Sequence, residues 1–192
     1  MIMEDIYLEY MVKRKKTGKQ LALLAVIIML GVVLSCLFFV IMFAVGVTMQ
    51  KAGTGLGQMT SFIGLMLIAA LWYGVYLLAG MQNIEYEYIL TNSEMDMDKI
   101  MSKKGRKHMI TFDFKEISIC ANINDSEHNH DYKNLRADKT IDVIGDRKGE
   151  NIYFADFSGD SGERVRVLFQ PTSKMINSAK KFNPRNIFVM DE

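Results

Sequence analysis

Two hydrophobic periods divide the chain. From Leu21 to Met49 the residues are overwhelmingly apolar, and no side chain is ionisable apart from Cys36. Met59–Met81 is equally free of charge. A bilayer core of about 30 Å takes roughly 20 helical residues, so both runs are long enough to cross one, the first with length left for tilt. The Gly-rich segment Gln50–Gln58 supplies a reversal between them. From Ile84 onward the period shortens to two. Ile84, Tyr86, Tyr88 and Leu90 alternate with polar or exposed-type positions, as in a half-buried strand. Met95 and Met97 alternate with Glu94, Asp96 and Asp98, and His108, Ile110, Phe112 and Phe114 follow. Further strands are expected at Thr140–Ile144, Asn151–Phe157 and Arg164–Phe169, with turn-rich stretches between them.

One helix is expected near the end. Pro171 and a Thr172 or Ser173 cap precede Met175, Ile176, Ala179 and Phe182, which form one stripe, and Asn183-Pro184 stops it. The apolar segment Ile187-Phe188-Val189 then needs a place to bury. At the other terminus Met3, Ile6, Tyr7, Tyr10 and Met11 fall at i, i+3, i+4, i+7 and i+8, the stripe of an amphipathic helix. Three placements are open for that helix: in the headgroup region, docked on the polar domain, or disordered. The expected organisation is therefore an amphipathic and basic arm (1–20), a two-helix hairpin (21–49 and 59–81) and a polar domain (84–192).

Charge fixes the expected orientation. Between Gln20 and Gly80 the only charged residue is Lys51, although the whole chain carries 23 Lys and Arg against 22 Asp and Glu. Lys13, Arg14, Lys15, Lys16 and Lys19 precede the first run, and only Lys51 lies near the reversal. The excess of positive charge marks the cytoplasmic side, so both termini are expected in the cytoplasm of a multi-pass cell-membrane protein. The first run is too long for a cleaved signal peptide and no small-x-small site closes it. No Asp, Glu, Lys, Arg or His falls inside either run, which speaks against transport by this chain alone. Gly31-x-x-x-Ser35 and Ala70-x-x-x-Gly74 would let the helices approach closely, and Trp72 is expected against the first helix.

The residues Tyr88-Ile89-Leu90-Thr91-Asn92 with Met95, a basic hairpin, and then Ile110-Thr111-Phe112-x-Phe114-x-Glu116-Ile117 directly follow the apolar pair. This arrangement resembles bacterial pleckstrin-homology-like domains over roughly Ile84–Phe182. With the Val12–Thr17 arm, the whole chain resembles a family of small bacterial membrane proteins that join two transmembrane helices to such a domain. The resemblance implies a membrane α-helical hairpin plus a soluble α+β domain, whose antiparallel, mainly-β sheet is capped by a C-terminal helix. It brings no catalytic residue, and it leaves the long connection from Asn122 to Lys139 unexplained.

Candidate chemistry is sparse. Lys99, Lys103, Lys104, Arg106 and Lys107 place five cations within nine residues, beside His108. On a hairpin they sit where pleckstrin-homology domains take phosphorylated headgroups, so they are the candidate lipid-binding set; the competing reading is a solvated hairpin that keeps a sheet edge soluble. Nucleic-acid binding is not expected, because residues 84–192 carry 17 Lys and Arg against 19 Asp and Glu. Asp125–Asp131 includes His128 and His130 but no distant pair completes a metal site. Cys36 and Cys120 are not expected to pair, which suits a reducing compartment. With no nucleophile–base set or phosphate loop, no enzyme and no cofactor is expected. The expected role is a membrane-anchored binding or scaffold module for anionic lipid or a protein partner, or else an accessory subunit of a larger membrane complex.

Overall fold

The computed structural model describes residues 5–53, 57–102, 105–159 and 161–190. The chain separates into two units, Lys16–Asn83 and the combination of Met1–Lys15 with Ile84–Glu192.

The first of these is a pair of antiparallel helices. Gln20 Oε1 accepts from the Thr17 amide at 3.0 Å, and α1 runs from Gly18 to Lys51, while α2 runs from Gly57 to Gly80. At 1.5 Å per residue these are about 51 and 36 Å long, and both are apolar enough to cross a membrane. Apolar side chains point outward along almost their whole length: Phe39, Phe43, Phe62 and Met66 are each more than 60% exposed. The helices touch at small residues. A Cβ on Gly31 would lie 3.1 Å from Val75, and one on Gly64 would lie 3.0 Å from Met42. Trp72 does meet α1, its Nε1 donating to Ser35 Oγ at 3.1 Å, while Ser35 Oγ donates to the Gly31 carbonyl. The second small pair plays no such part, since the space beside Gly74 is open.

The second unit is built from two four-stranded sheets. The first has the order β1 (Tyr7–Lys13), β2 (Ile84–Thr91), β3 (Glu94–Met101), β4 (Gly105–Asp113), all antiparallel. Asn92, with φ of 54°, makes the β2–β3 turn. The second sheet uses β5 (Ile119–Asn122), β6 (Lys139–Asp142), β7 (Tyr153–Ser158) and β8 (Arg164–Phe169) in the order β5-β7-β8-β6. Its one parallel pair is β6 with β8. A short helix, α3 (Asn129–Asn134), interrupts the connection before β6, and α4 (Ser173–Lys180) follows β8. Thr172 Oγ1 accepts from the Met175 amide at 3.2 Å and caps α4. Tyr88, Leu90, Met95, Met97, Phe112 and Phe114 bury against Val167, Phe169 and the α4 residues Met175, Ile176 and Ala179. Phe182 is only half-buried. Ile187 finds its place beside β5, bridged to Cys120 and fully buried.

The arm differs from the amphipathic helix its spacing suggested. Tyr7–Lys13 is a strand paired to β2 along all seven residues. Ile6, Leu8 and Val12 cover the core while Tyr7, Glu9 and Met11 point out, which is a period of two. So short an apolar segment admits both periods with different faces, Ile6, Tyr7, Tyr10 and Met11 for the helix against Ile6, Leu8 and Val12 for the strand, and pairing to β2 decides between them. The polar domain is consequently not 84–192 alone: the apolar helices are inserted between its first and second strands.

The Asn122–Lys139 connection is held by a residue that pattern reading passed over. Arg166 on β8 is buried and forms a two-pronged ion pair with buried Asp156, at 2.7 and 2.6 Å. The same guanidinium donates to the carbonyls of Tyr132 and Leu135. It lies against the rings of Tyr132 and Phe154. One side chain thus fixes α3 to the second sheet.

Candidate functional site

Alternation along β3 and β4 distributes the basic hairpin over two faces. Lys99 and Lys107 are direct cross-strand partners, while Arg106 sits opposite Ile100 and points the other way. Lys103 and Lys104 lie outside the described residues. Arg106 is already engaged: its guanidinium contacts Glu87 Oε2 at 2.5 Å and Asp98 Oδ2 at 3.6 Å. The five-cation cluster is therefore not one convergent set. Lys99 and Lys107 remain on the core-side face, next to Tyr86, to whose hydroxyl Arg14 Nη1 donates at 3.5 Å. Burial pushes the Tyr86 phenol up, while Arg14 opposes that shift.

The opposite, solvent-facing side of the first sheet carries a polar network. His108 Nδ1 lies 3.0 Å from Asp98 Oδ1, and its Nε2 lies 3.3 Å from Thr111 Oγ1. Thr111 Oγ1 donates to Asp96. Glu87, buried in this face, is held above the usual carboxylate range by desolvation; Arg106 opposes the shift, and Glu9 and Asp98 add to it. The network spans β2, β3 and β4 and ties them across the open face.

A second node fixes the chain where it enters α1. Gln170 Oε1 accepts from the amides of Gly145 and Asp146, and its Nε2 donates to the Asp146 carbonyl. The Lys15 amide donates to the Gly145 carbonyl at 2.8 Å, and Lys15 Nζ pairs with Asp146 at 2.5 Å. That contact is the main reason the Asp146 carboxyl is depressed. Only glycine fits at position 145, because a Cβ there would fall 2.2 Å from Val12 Cγ1 and 2.8 Å from the Lys13 carbonyl oxygen.

The His128–His130 segment, expected as loop, opens α3. The His128 ring lies against Phe188, tilted by 31° with centroids 3.7 Å apart, and both histidines contact Asp131. Among the described residues no group of three or more His, Cys, Asp or Glu is arranged to hold a metal ion. Cys36 and Cys120 are both free.

Two sheets, mostly antiparallel, with a helix after the last strand, suit the pleckstrin-homology-like class. The chain belongs to the family described as Bacterial PH-like domain (DUF6106), whose model matches residues 4–189. The match begins in the arm and ends beyond α4, so the two apolar helices lie within the family's unit. Comparison with curated proteins and with solved structures gives no match.

Proposed function

We propose that this chain is a membrane-anchored binding module of the cytoplasmic face, without catalytic activity. α1 and α2 form a hairpin through the cell membrane, and α4 serves as the helix that closes the pleckstrin-homology-like sheets. The observation that carries this reading is the β1–β2 ladder. The chain leaves the domain at Arg14 and re-enters at Ile84, where the Arg14 amide bonds to the Ile84 carbonyl at 2.9 Å. Departure and return at one point suit an even number of crossings, and the two apolar helices supply two. The excess of Lys and Arg beside α1 then favours the cytoplasm for the domain and both termini. Cysteine labelling in intact cells tests it, with Cys36 and Cys120 replaced by Ala: Ala52→Cys should label and Ser161→Cys should be protected. The reverse pattern overturns the orientation.

The ligand class that the basic hairpin favours is an anionic headgroup. Like charges directly opposite one another in a sheet repel, and Lys99 facing Lys107 is such a pair, relieved by an anion between them. This replaces the five-residue set with Lys99, Lys107 and the neighbouring Arg14. A fluorophore on Met101→Cys in full-length protein, reconstituted in nanodiscs with quencher-bearing lipid, reads the approach. Quenching should grow with anionic lipid and fall as salt shortens the Debye length from about 10 Å at 0.1 M to about 3 Å at 1 M. It should be lost in Lys99→Gln/Lys107→Gln. Quenching indifferent to lipid charge removes the headgroup reading. A second reading, an accessory subunit that docks on a protein, is favoured by the exposed edge of β1; recovery of a stoichiometric partner from mild detergent is its test.

A further inference from the structure

We infer that the free edge of β1 is a docking site for an extended segment of a partner protein, which adds a fifth strand to the first sheet. The inference rests on the binding-module reading and names a partner for it. An open strand edge is a hazard that folded proteins normally blunt with charge, bulges, short length or a cover. Three of the four sheet edges here are blunted in just those ways. β4 carries a register irregularity and exposes Arg106, Lys107 and His108. β6 has only four residues, with Lys139 and Asp142 at its ends. β5 is covered by the C-terminal segment, through Cys120 N to the Asn186 carbonyl and Phe188 N to the Cys120 carbonyl. Over Tyr7–Met11, β1 carries a single charge, Glu9, and among the described residues it shows no register irregularity and no covering strand.

Its hydrogen-bonding register is fixed. The Asn92 amide bonds to Ile6 and the Arg14 amide bonds to Ile84, so in an antiparallel ladder the even residues of β1 face β2 and the odd ones face away. Tyr7, Glu9 and Met11 therefore aim their N–H and C=O groups at the open side. Lys15, the next odd residue but one, shows the edge in use: its amide is taken by Gly145. The side chains agree with the backbone. Tyr7 is 63% exposed, Met11 54% and Tyr10 38%, and the polar-surfaced unit exposes few other large apolar side chains among the described residues.

The row Tyr7, Glu9, Met11 specifies the occupant, because directly opposed residues on neighbouring strands interact. Glu9 stands next to buried Glu87, which pairs with Arg106. The residue opposite Glu9 should be Lys or Arg, with apolar residues two positions away on either side, against Tyr7 and Met11. A second copy of this chain fits poorly. Pairing Tyr7–Met11 with itself sets Glu9 against Glu9. Sliding the register toward Lys13 brings the incoming strand onto Gly145, which packs against the Lys13 carbonyl.

The test uses the full-length chain in nanodiscs of zwitterionic lipid, with the acetylated, labelled peptide Thr-Val-Thr-Lys-Thr-Val-Thr as probe and fluorescence anisotropy as readout. The peptide should bind with a Kd below about 1 mM and at least about tenfold more tightly than its counterpart with Glu in place of Lys. N-methylation of alternate peptide amides should abolish binding, Glu9→Lys should reverse the charge preference, and Met11→Pro should weaken binding, since it removes an edge donor where proline is tolerated. No binding at about 1 mM, equal binding of the two peptides, or undiminished binding of the N-methylated one overturns the inference. The broader reading fails separately. A membrane partner that co-purifies with Met11→Pro as well as with the parent leaves the module standing and removes only the edge.

Discussion

The two units obey opposite rules about the same residue types. Lys16–Asn83 turns Leu, Ile, Val and Phe outward and touches itself at Gly31, Gly64 and one Trp72–Ser35 hydrogen bond. The sheet domain turns Tyr88, Leu90, Phe114 and Phe169 inward until nothing of them is exposed. On the proposed membrane placement, a hydrocarbon solvent gives no reason to bury apolar surface between the helices, so small residues and polar contacts hold them; water gives every reason, and the sheets close over their apolar faces. Each unit packs mainly against itself, which is how one can be inserted into the sequence of the other while keeping that independence.

The largest expected effect follows from that independence. Joining 1–15 to 84–192 through a short Gly-Ser linker, in place of the helices, should give a protein soluble without detergent and mostly strand by circular dichroism. Residues 84–192 alone should fail. They lose the whole β1 ladder and the partly buried Ile6, Leu8 and Val12, each contributing less than the about 1.5–3 kcal/mol of a fully buried side chain, against a typical total of about 5–15 kcal/mol. Equal melting of the two proteins would mean that β1 is an accessory to the fold rather than part of it.

Next in size is Arg166. In the soluble linked protein, Arg166→Met should cost about 3–5 kcal/mol in urea unfolding, because it leaves the Asp156 carboxylate buried and unpaired. Adding Asp156→Leu should recover much of that loss. The single variant should also release α3, seen as new protease cleavage between Asn122 and Lys139. If the double variant is no better than the single one, the damage comes from the lost carbonyl contacts at Tyr132 and Leu135.

How far these features were legible in the sequence depends on how many of their determinants were local. The β2 strand matches its expected bounds, Ile84–Thr91, because alternation, burial and the Asn92 turn all lie within it. The α4 stripe and its Thr172 cap are equally local. β1 reads as a helix in the sequence because its helix-like spacing is genuine, and the partner that overrides it lies more than seventy residues away. Arg166 looked like one polar position in an alternating strand; its importance comes from Asp156 and two carbonyls supplied by other elements. The same limit applied to the basic hairpin. Five cations close in sequence read as one cluster, but Arg106 lies across the sheet from Lys99 and Lys107, bound to Glu87.

A smaller effect sharpens the contrast from the helical side. Trp72→Phe or Ser35→Ala removes the side-chain hydrogen bond between α1 and α2 and should cost about 0.6 kcal/mol in mixed-micelle unfolding, the usual size of such a bond between membrane helices. Gly31→Leu should cost more, since a Cβ there already meets Val75 at 3.1 Å. A polar contact that outweighed the glycine contact would place the helices' cohesion in hydrogen bonding rather than in close packing.

The smallest effect is a pH dependence confined to the sheet domain, and its two contributors have opposite signs. Asp146 is held below the usual carboxylate range, chiefly by its bond to Lys15. A depressed folded value means that the stabilisation is present above the ordinary carboxylate range and is lost as pH falls through the lowered value. Glu87 is raised, chiefly by burial. The folded state then prefers the protonated acid, so stability is gained as pH falls through the raised value. Thermal unfolding of the linked protein from about pH 7 to about pH 3 covers both ranges. The difference between parent and Asp146→Asn should shrink as pH falls, while the difference between parent and Glu87→Gln should move in the parent's favour. Difference curves that slope the same way would mean that Arg106 stabilises ionised Glu87 more than burial penalises it. The solvent-facing network of the first sheet would then be held by its ion pair, and Glu9 beside it would already have its cation.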